Sequence, residues 1–440
     1  MIRVKPDDVL SVLSKYMLVD GFDIVIDLEK SHGSYMVDAR DGSEYLDFFS
    51  FFATNPLGFN HPKMTTDEFK QRLVRASIQK PSNSDFYTVE MAEFVKTFFE
   101  TAVPDYFKYV FFIDGGALAV ENALKAAFDW KVRKNFAKGY KEEKGHQIIH
   151  FKEAFHGRSG YTLSLTNTAD QRKTEYFAKF DWPRVLNPKI TFPLTLERLE
   201  EVKASEDESI RQIKMAIQKN PDDIAAIIIE PIQGEGGDNH FRPEFFKQLR
   251  AIADENDILL IFDEVQTGVG LTGKMWAHEH FGVHPDIMAF GKKTQVCGIL
   301  ATDRIDEVEN NVFRESSRIN STWGGNLTDM VRSQRYFEII AEENLVDNAA
   351  KMGAYFFEKM QALEDEFPEW ISNVRAKGLF AAFTLPNEEI RDRLLTKTYE
   401  NKVIVLKSGH DSIRFRPPLN ISKNEIDQGF SVLRSVIKSL

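Results

Sequence analysis

The stretch Ile258–Lys293 constrains the fold more than any other part of the chain. It opens on a short, continuously apolar run, Ile258–Phe262, closed by Asp263 and Glu264. Such a run suits a strand buried on both faces, as in a parallel sheet. A second short run, Ile287–Phe290, closes on Gly291, Lys292 and Lys293. Ligands of open α/β sheets bind beyond the carboxyl ends of the strands. One strand end here presents a carboxylate and another presents lysines. A carboxylate for a pyridinium nitrogen and a Schiff-base lysine are what pyridoxal phosphate requires of a protein. On this stretch alone, a helix cap at Asp263 and two solvated lysines would serve equally well.

The surrounding rhythm supports the sheet. Tyr109–Ile113, Gln147–Phe151 and Ile224–Ile229 are short apolar runs spaced by helical patterns such as Val89–Phe99 and Val120–Val132. Strands alternating with helices predict βα units and a mostly parallel sheet. Upstream, residues 1–20 carry apolar positions at helical spacing. Ile24–Leu28, Ser34–Asp38 and Tyr45–Phe49 then alternate around Asp41-Gly42, which predicts a small antiparallel hairpin. The aromatic run Phe49–Phe52 is expected to pack into the core. Residues 175–220 read as a polar surface insertion with one helix, and the pattern after Lys293 is irregular. The last third predicts a long helix over 327–363, interrupted near Glu342–Asn344. Strands at Gly378–Thr384, Val403–Leu406 and Ser412–Phe415 follow, with helices at Glu388–Asn401 and Lys423–Ile437. The expected division is an N-terminal segment 1–84, a large domain 85–326 and a small α+β domain 327–440.

A net charge of -11 argues against nucleic acid or an anionic membrane as the main partner. The single cysteine, Cys297, excludes an intramolecular disulfide, fits a reducing cytoplasm and reads as a small buried hydrophobe. No apolar run reaches transmembrane length and the N-terminus shows no targeting pattern, so a cytoplasmic location is expected.

Four turns carry the remaining chemistry. Gly115-Gly116-Ala117 lies between a strand and a helix, where backbone N–H groups and the helix dipole favour a phosphate. Phe155-His156-Gly157-Arg158 follows another strand; the ring could stack on a flat ligand and the arginine could grip a carboxylate. Glu230–Gly237 is glycine-rich and has no lysine, so it is not a P-loop. Arg414-Phe415-Arg416 sets two arginines on one face beside Pro417-Pro418. Taken singly, a tight turn, a packed ring and surface ion pairs account for these turns at least as well.

Their order, together with EPIQGEGG, IFDEVQTG and FGKK, resembles the class III aminotransferases, a branch of the fold type I pyridoxal phosphate enzymes. The resemblance covers nearly the whole chain. It implies an α/β fold with a parallel sheet flanked by helices, and a smaller domain built from both chain ends. It implies pyridoxal 5'-phosphate as the cofactor, no metal, and a homodimer with shared active sites. By resemblance, Lys292 bonds the cofactor and carries the proton, while Lys293 is a structural neighbour. Asp263 meets the pyridinium nitrogen, Gln266 the phenolate oxygen, Phe155 the ring, and Gly116 and Ala117 the phosphate. Thr322 reaches the phosphate of the neighbouring subunit. The runs GRSGYTLSLTNT, FGKKTQVCG and NSTWGGNLTDMVR further resemble the members that act on the ε-amine of L-lysine with 2-oxoglutarate as acceptor. Ornithine or 4-aminobutyrate is the alternative donor. Arg158 is then expected to hold the lysine carboxylate and Arg414 the glutamate α-carboxylate. Glu235 is the gate, pairing with Arg414 when lysine is bound and moving aside for glutamate.

Overall fold

A computed structural model describes residues 3–440; Met1 and Ile2 lie outside the description. Two short antiparallel strands come first, β1 (Tyr35–Val37) and β2 (Glu44–Asp47). Then come β3 (Phe107–Ile113), β4 (Gln147–Phe151), β5 (Arg184–Val185), β6 (Ile224–Ile229), β7 (Leu259–Asp263), β8 (Ile287–Phe290) and β9 (Cys297–Thr302). These form one sheet in the order β3-β9-β8-β7-β6-β4-β5. Strands β5, β4, β6, β7 and β8 are mutually parallel, while β9 runs antiparallel to both its neighbours.

Burial on two faces explains the apolar runs. Every residue of β6, β7 and β8 is buried. Along β7, Leu259 and Ile261 pack with Ala123, Leu124 and Ala127 of the helix Gly116–Ala137. Leu260 and Phe262 pack on the other face with Phe245, Phe246 and Leu249 of the helix Pro243–Glu255. Each such side chain contributes about 1.5–3 kcal/mol on leaving water, so a slip by one residue would gain nothing and the register is held by shape.

Strand β9 is a correction to the irregular pattern expected after Lys293. Its run holds Gly298, a residue that ordinarily weakens a strand. Here a Cβ at Gly298 would stand 2.2 Å from the Phe111 carbonyl oxygen on β3, so only glycine fits.

The C-terminal helical pattern divides where the sequence indicates. Helices Leu327–Glu342 and Leu345–Glu366 are separated at Asn344, which takes a left-handed φ of 52°; asparagine tolerates that conformation better than most residues. Strands β10 (Ser372–Lys377), β11 (Phe380–Thr384), β12 (Val403–Ile404), β13 (Leu406–Ser408) and β14 (Ser412–Phe415) complete the chain. The single strand expected at Val403–Leu406 is therefore two. Strand β12 joins β2 in parallel, while β13 joins the sheet β10-β11-β14-β13. That β2–β12 pairing ties the two ends of the chain into one unit.

Two N-terminal expectations change. The helix within residues 1–20 is only Val9–Leu13, with no buried residue. The aromatic run packs only in part: Phe49 is buried, but Phe52 is 47% exposed. The cause is a left-handed turn in which Ser50, Phe51, Phe52 and Ala53 have φ of 39°, 54°, 59° and 64°. The sequence has no glycine there to announce it.

Candidate active site

The loops after β4, β6, β7 and β8 meet at one edge of the large sheet. Asp263 is the last residue of β7 and is buried. One carboxylate oxygen lies 2.8 Å from His156 Nδ1, and the other accepts the Val265 N–H at 3.1 Å. His156 comes from the loop after β4 and is buried, and its Nε2 has no partner. Burial disfavours a charged imidazole there. The Asp263 hydrogen bond and charge, with Glu230 behind them, outweigh it and hold the His156 pKa above its ordinary value.

Glu230 follows β6 and draws two turns together. Its carboxylate accepts the Phe155 N–H at 2.9 Å and the Gly234 N–H at 3.0 Å. Burial, with the Asp263 charge adding to it, pushes its carboxyl up to about 7, against a weaker pull from His156.

The neighbouring acid, Glu264, faces away. It accepts from Thr267 Oγ1 at 2.6 Å and from the Ala277 and His278 N–H groups at 2.9 and 2.8 Å. It also meets His278 Nδ1 at 2.8 Å, and His278 Nε2 bonds in turn to the Tyr106 hydroxyl. Glu264 is thus committed to structure, and Asp263 alone faces the site.

Lys292 follows β8 with a left-handed φ of 53°, a conformation a side chain adopts only when its surroundings hold it there. Burial, with Arg414 reinforcing it, holds its amine below the ordinary lysine range, although Asp263 pulls the other way. Lys293 is buried and differently employed. Its Nζ donates to the Gln266 carbonyl at 2.8 Å and to Ala53 at 3.3 Å, and desolvation drives its pKa well below the usual value.

Gly115, with φ 102°, precedes the 22-residue helix Gly116–Ala137. A Cβ on Gly116 would come within 2.9 Å of Val265, and one on Gly157 within 2.5 Å of the Ala117 Cβ. The loop carrying Phe155 is therefore packed directly onto the first turn of that helix. A cradle of backbone N–H groups, a strand-end carboxylate and a lysine of lowered pKa converge here. This is the donor set that a phosphorylated pyridine aldehyde needs, so the residues present fit pyridoxal 5'-phosphate.

Gln266 joins this half of the site to the small domain. Its Oε1 accepts from Arg416 at 3.0 and 3.1 Å and from Arg414 at 3.3 Å. A guanidinium only donates, so the amide oxygen must face the arginines and its nitrogen is left to donate elsewhere. The shared contact also shows Arg414 and Arg416 on one face of their segment, as the alternation with Phe415 indicates.

The substrate-facing residues are less tightly held. Arg414 is buried, its Nε lacks a partner, and its guanidinium carbon lies 5.7 Å from the Phe52 ring. Burial, then the Arg416 charge, lower its pKa to about 10. Glu235 does not pair with Arg414. One of its oxygens accepts from Lys173 Nζ at 2.6 Å and Thr168 Oγ1 at 2.7 Å, while the other is buried and unpartnered. Glu235 therefore does not make the pairing with Arg414 that the resemblance implies for one of its two positions. Arg158 and Thr322 are both exposed. The loop holding Thr322 is anchored by Trp323, whose ring lies 3.6 Å from Lys80 Nζ.

Sequence reasoning passed over Glu230, Asp238 and Lys173. Glu230 opens the glycine-rich turn and was legible only as one of its two carboxylates, with no role attached, and Asp238 follows that turn directly. Lys173 sits in a polar run that looks like solvated surface and gave no signal.

The chain was compared with known proteins. The family model described as Aminotransferase class-III matches residues 16–437. L-lysine-epsilon aminotransferase of Mycobacterium tuberculosis (strain ATCC 25618 / H37Rv) is 52% identical, covering 98% of this chain and 96% of its own. The protein of the same name from Amycolatopsis lactamdurans is 46% identical, with 98% and 96% covered. Among solved structures, a lysine aminotransferase from M. tuberculosis in the internal aldimine form superposes with a TM-score of 0.97 at 51% identity, covering 99% of this chain and 100% of that one.

Proposed function

The chain belongs to the class III aminotransferases, and from that premise we propose that it moves the ε-amino group of L-lysine to 2-oxoglutarate. The products are 2-aminoadipate 6-semialdehyde, which cyclises to 1-piperideine 6-carboxylate, and L-glutamate. The two substrates take turns in one site, a ping-pong scheme. The observation that carries this reading is Arg414, a buried guanidinium left short of a partner while the Glu235 carboxylate is held by Lys173. A site that alternates between an amine with a distant carboxylate and a 2-oxo acid with a near one needs such a cation.

Pyridoxal 5'-phosphate, when bound, supplies the electron sink that acidifies the substrate C–H bond. The protein supplies the rest. Gly116 and Ala117 would hold the phosphate, Phe155 would cover the ring and Gln266 would donate to the phenolate oxygen. Asp263, kept oriented by His156, would hold the proton on the ring nitrogen. Lys292, its amine below the ordinary lysine range, would take the proton from Cε of lysine as general base and give it up again, from the same face, as general acid. Arg158 binds the lysine carboxylate and Arg414 that of glutamate. The exposed Thr322 serves the phosphate site of a second copy, so the working form is a homodimer. The chain divides at 1–84, 85–326 and 327–440. A reducing cytoplasm suits its lone buried cysteine, and no described helix is long and apolar enough to cross a membrane.

A panel of amine donors with 2-oxoglutarate as acceptor tests the reading. Lysine is expected to form glutamate at least tenfold faster than ornithine or 4-aminobutyrate. Faster glutamate formation from either of those donors would overturn it.

A further inference from the structure

The loop Thr168–Lys173 is assigned no part in the reaction by anything above, yet it grips the gate. We propose that Lys173, with Thr168, is the dock that holds Glu235 off Arg414 and so sets how readily the enzyme accepts its dicarboxylate substrate. The inference rests on the two-substrate reading of Arg414.

The turn bearing Glu235 cannot move as a body. Ser408 Oγ donates to the Gly234 carbonyl at 2.7 Å, and the Gly409 N–H donates to the Glu235 carbonyl at 2.9 Å. Gly236 packs so closely that a Cβ there would stand 1.9 Å from the Glu153 carbonyl oxygen. Only the Glu235 side chain is free to turn. It has two options. In one, Oε1 sits between Lys173 Nζ and Thr168 Oγ1, as found, and Oε2 is left buried without a partner. In the other, the carboxylate swings to Arg414, whose Nε is also buried without a partner. The two unpartnered atoms are complementary, an acceptor and a donor: the docked position leaves both short, and the swung position takes Glu235 from Lys173.

What tips the balance is the difference between the two cations. The Lys173 side chain is 33% exposed, so it can turn to water when Glu235 leaves, and its hold is weak. Arg414 is 4% exposed and has no such outlet; a cation so buried needs an anion. Lys173 therefore supplies a hold just strong enough to keep Arg414 available to an incoming carboxylate. Without it Glu235 would rest on Arg414, and the fraction of enzyme competent for 2-oxoglutarate would fall, raising its apparent KM in proportion. The lysine half-reaction, which uses the paired form, would not suffer.

The test compares holoenzyme carrying Lys173→Met or Lys173→Arg with wild type. Three quantities are measured: the KM for lysine, the KM for 2-oxoglutarate, and the calorimetric affinity for glutarate, an unreactive dicarboxylate. Lys173→Met is expected to raise the 2-oxoglutarate KM and weaken glutarate binding about tenfold, with the lysine KM unraised. Lys173→Arg is expected to restore both within twofold. Unchanged KM values and glutarate affinity in Lys173→Met would overturn the dock, and so would an equal loss for both substrates. If wild type fails to use lysine, the lysine reading fails, while glutarate binding and the glutamate half-reaction still judge the dock.

Discussion

Arg414 and Arg416 stand two residues apart, share one hydrogen-bond acceptor and occupy opposite kinds of pocket. Arg416 is fully buried and complete. Asp238 accepts from it at 2.6 and 2.8 Å, the Phe415 carbonyl at 2.8 Å, and the Phe380 ring lies 3.3 Å away. Arg414 has one long hydrogen bond to Gln266, a distant ring and an idle Nε. Both lost water on folding, and only one was compensated. A buried ion pair with good geometry roughly offsets its desolvation, while a buried charge without one is a standing cost. The contrast separates a structural cation from one kept available for a ligand, and their spacing in sequence does not distinguish them.

The largest effect should come from breaking the complete pocket. Asp238→Ala strands Arg416 and is expected to cost about 3–5 kcal/mol of stability, read as a lower urea midpoint. A loss below ~1 kcal/mol would mean the two pockets are not different in kind.

The pH response of Glu230 comes next, because its charge also acts on Arg414. Its folded pKa of about 7 lies above the ordinary 4.5. The folded state thus binds the proton more tightly, and this contribution is full below pH 4.5. It is lost as pH rises to 7, a fall of roughly 3 kcal/mol. Glu230→Gln should flatten that slope in unfolding curves taken at pH 5 and 7.5, and an unaltered slope would assign the titration elsewhere.

Emptying the incomplete pocket should act on substrate and spare the fold. Arg414→Met is expected to raise the 2-oxoglutarate KM about 100-fold, the ~2.7 kcal/mol of a charged hydrogen-bonded contact. Stability should hold or improve slightly. Equal damage to the lysine KM would put Arg414 in the wrong half-reaction.

How much of this was legible depended on the kind of signal. Strand β8 and the final helix match their apolar patterns to the residue, because burial on a fixed face writes a period into the sequence. The same pattern put acids and lysines at the ends of such runs, but the choice of Asp263 over Glu264 and of Lys292 over Lys293 came from the family resemblance. Strand β9 was not, because Gly298 is dictated by the approach of β3, a contact between distant parts of the chain. The split between β12 and β13 was hidden likewise, since one apolar run feeds two sheets. Lys173 was invisible: its partner Glu235 lies 62 residues away, and a lysine in a polar run has no local mark of being a dock.

The smallest expected effect concerns Phe52, and it probes how the incomplete pocket is walled. Four successive left-handed residues, Ser50–Ala53, carry strain of about 1–2 kcal/mol each, and the fold restrains them from several sides. Asp47 accepts the Phe49 and Ser50 N–H groups at 2.8 Å, Ser50 Oγ donates to the Arg416 carbonyl at 2.5 Å, and Lys293 reaches Ala53. What the turn achieves is to carry Phe52 out of the core and up to Arg414. A half-exposed ring 5.7 Å from a guanidinium is worth about 0.5–1 kcal/mol. Phe52→Leu should therefore raise the 2-oxoglutarate KM only about two- to fivefold, with stability within ~0.5 kcal/mol of wild type. Phe380→Leu, which removes the ring 3.3 Å from Arg416, should show the reverse: a loss of ~1–2 kcal/mol in stability and little change in KM. If the two variants behave alike, the turn is only a scar of packing, and the pocket around Arg414 owes nothing to its ring.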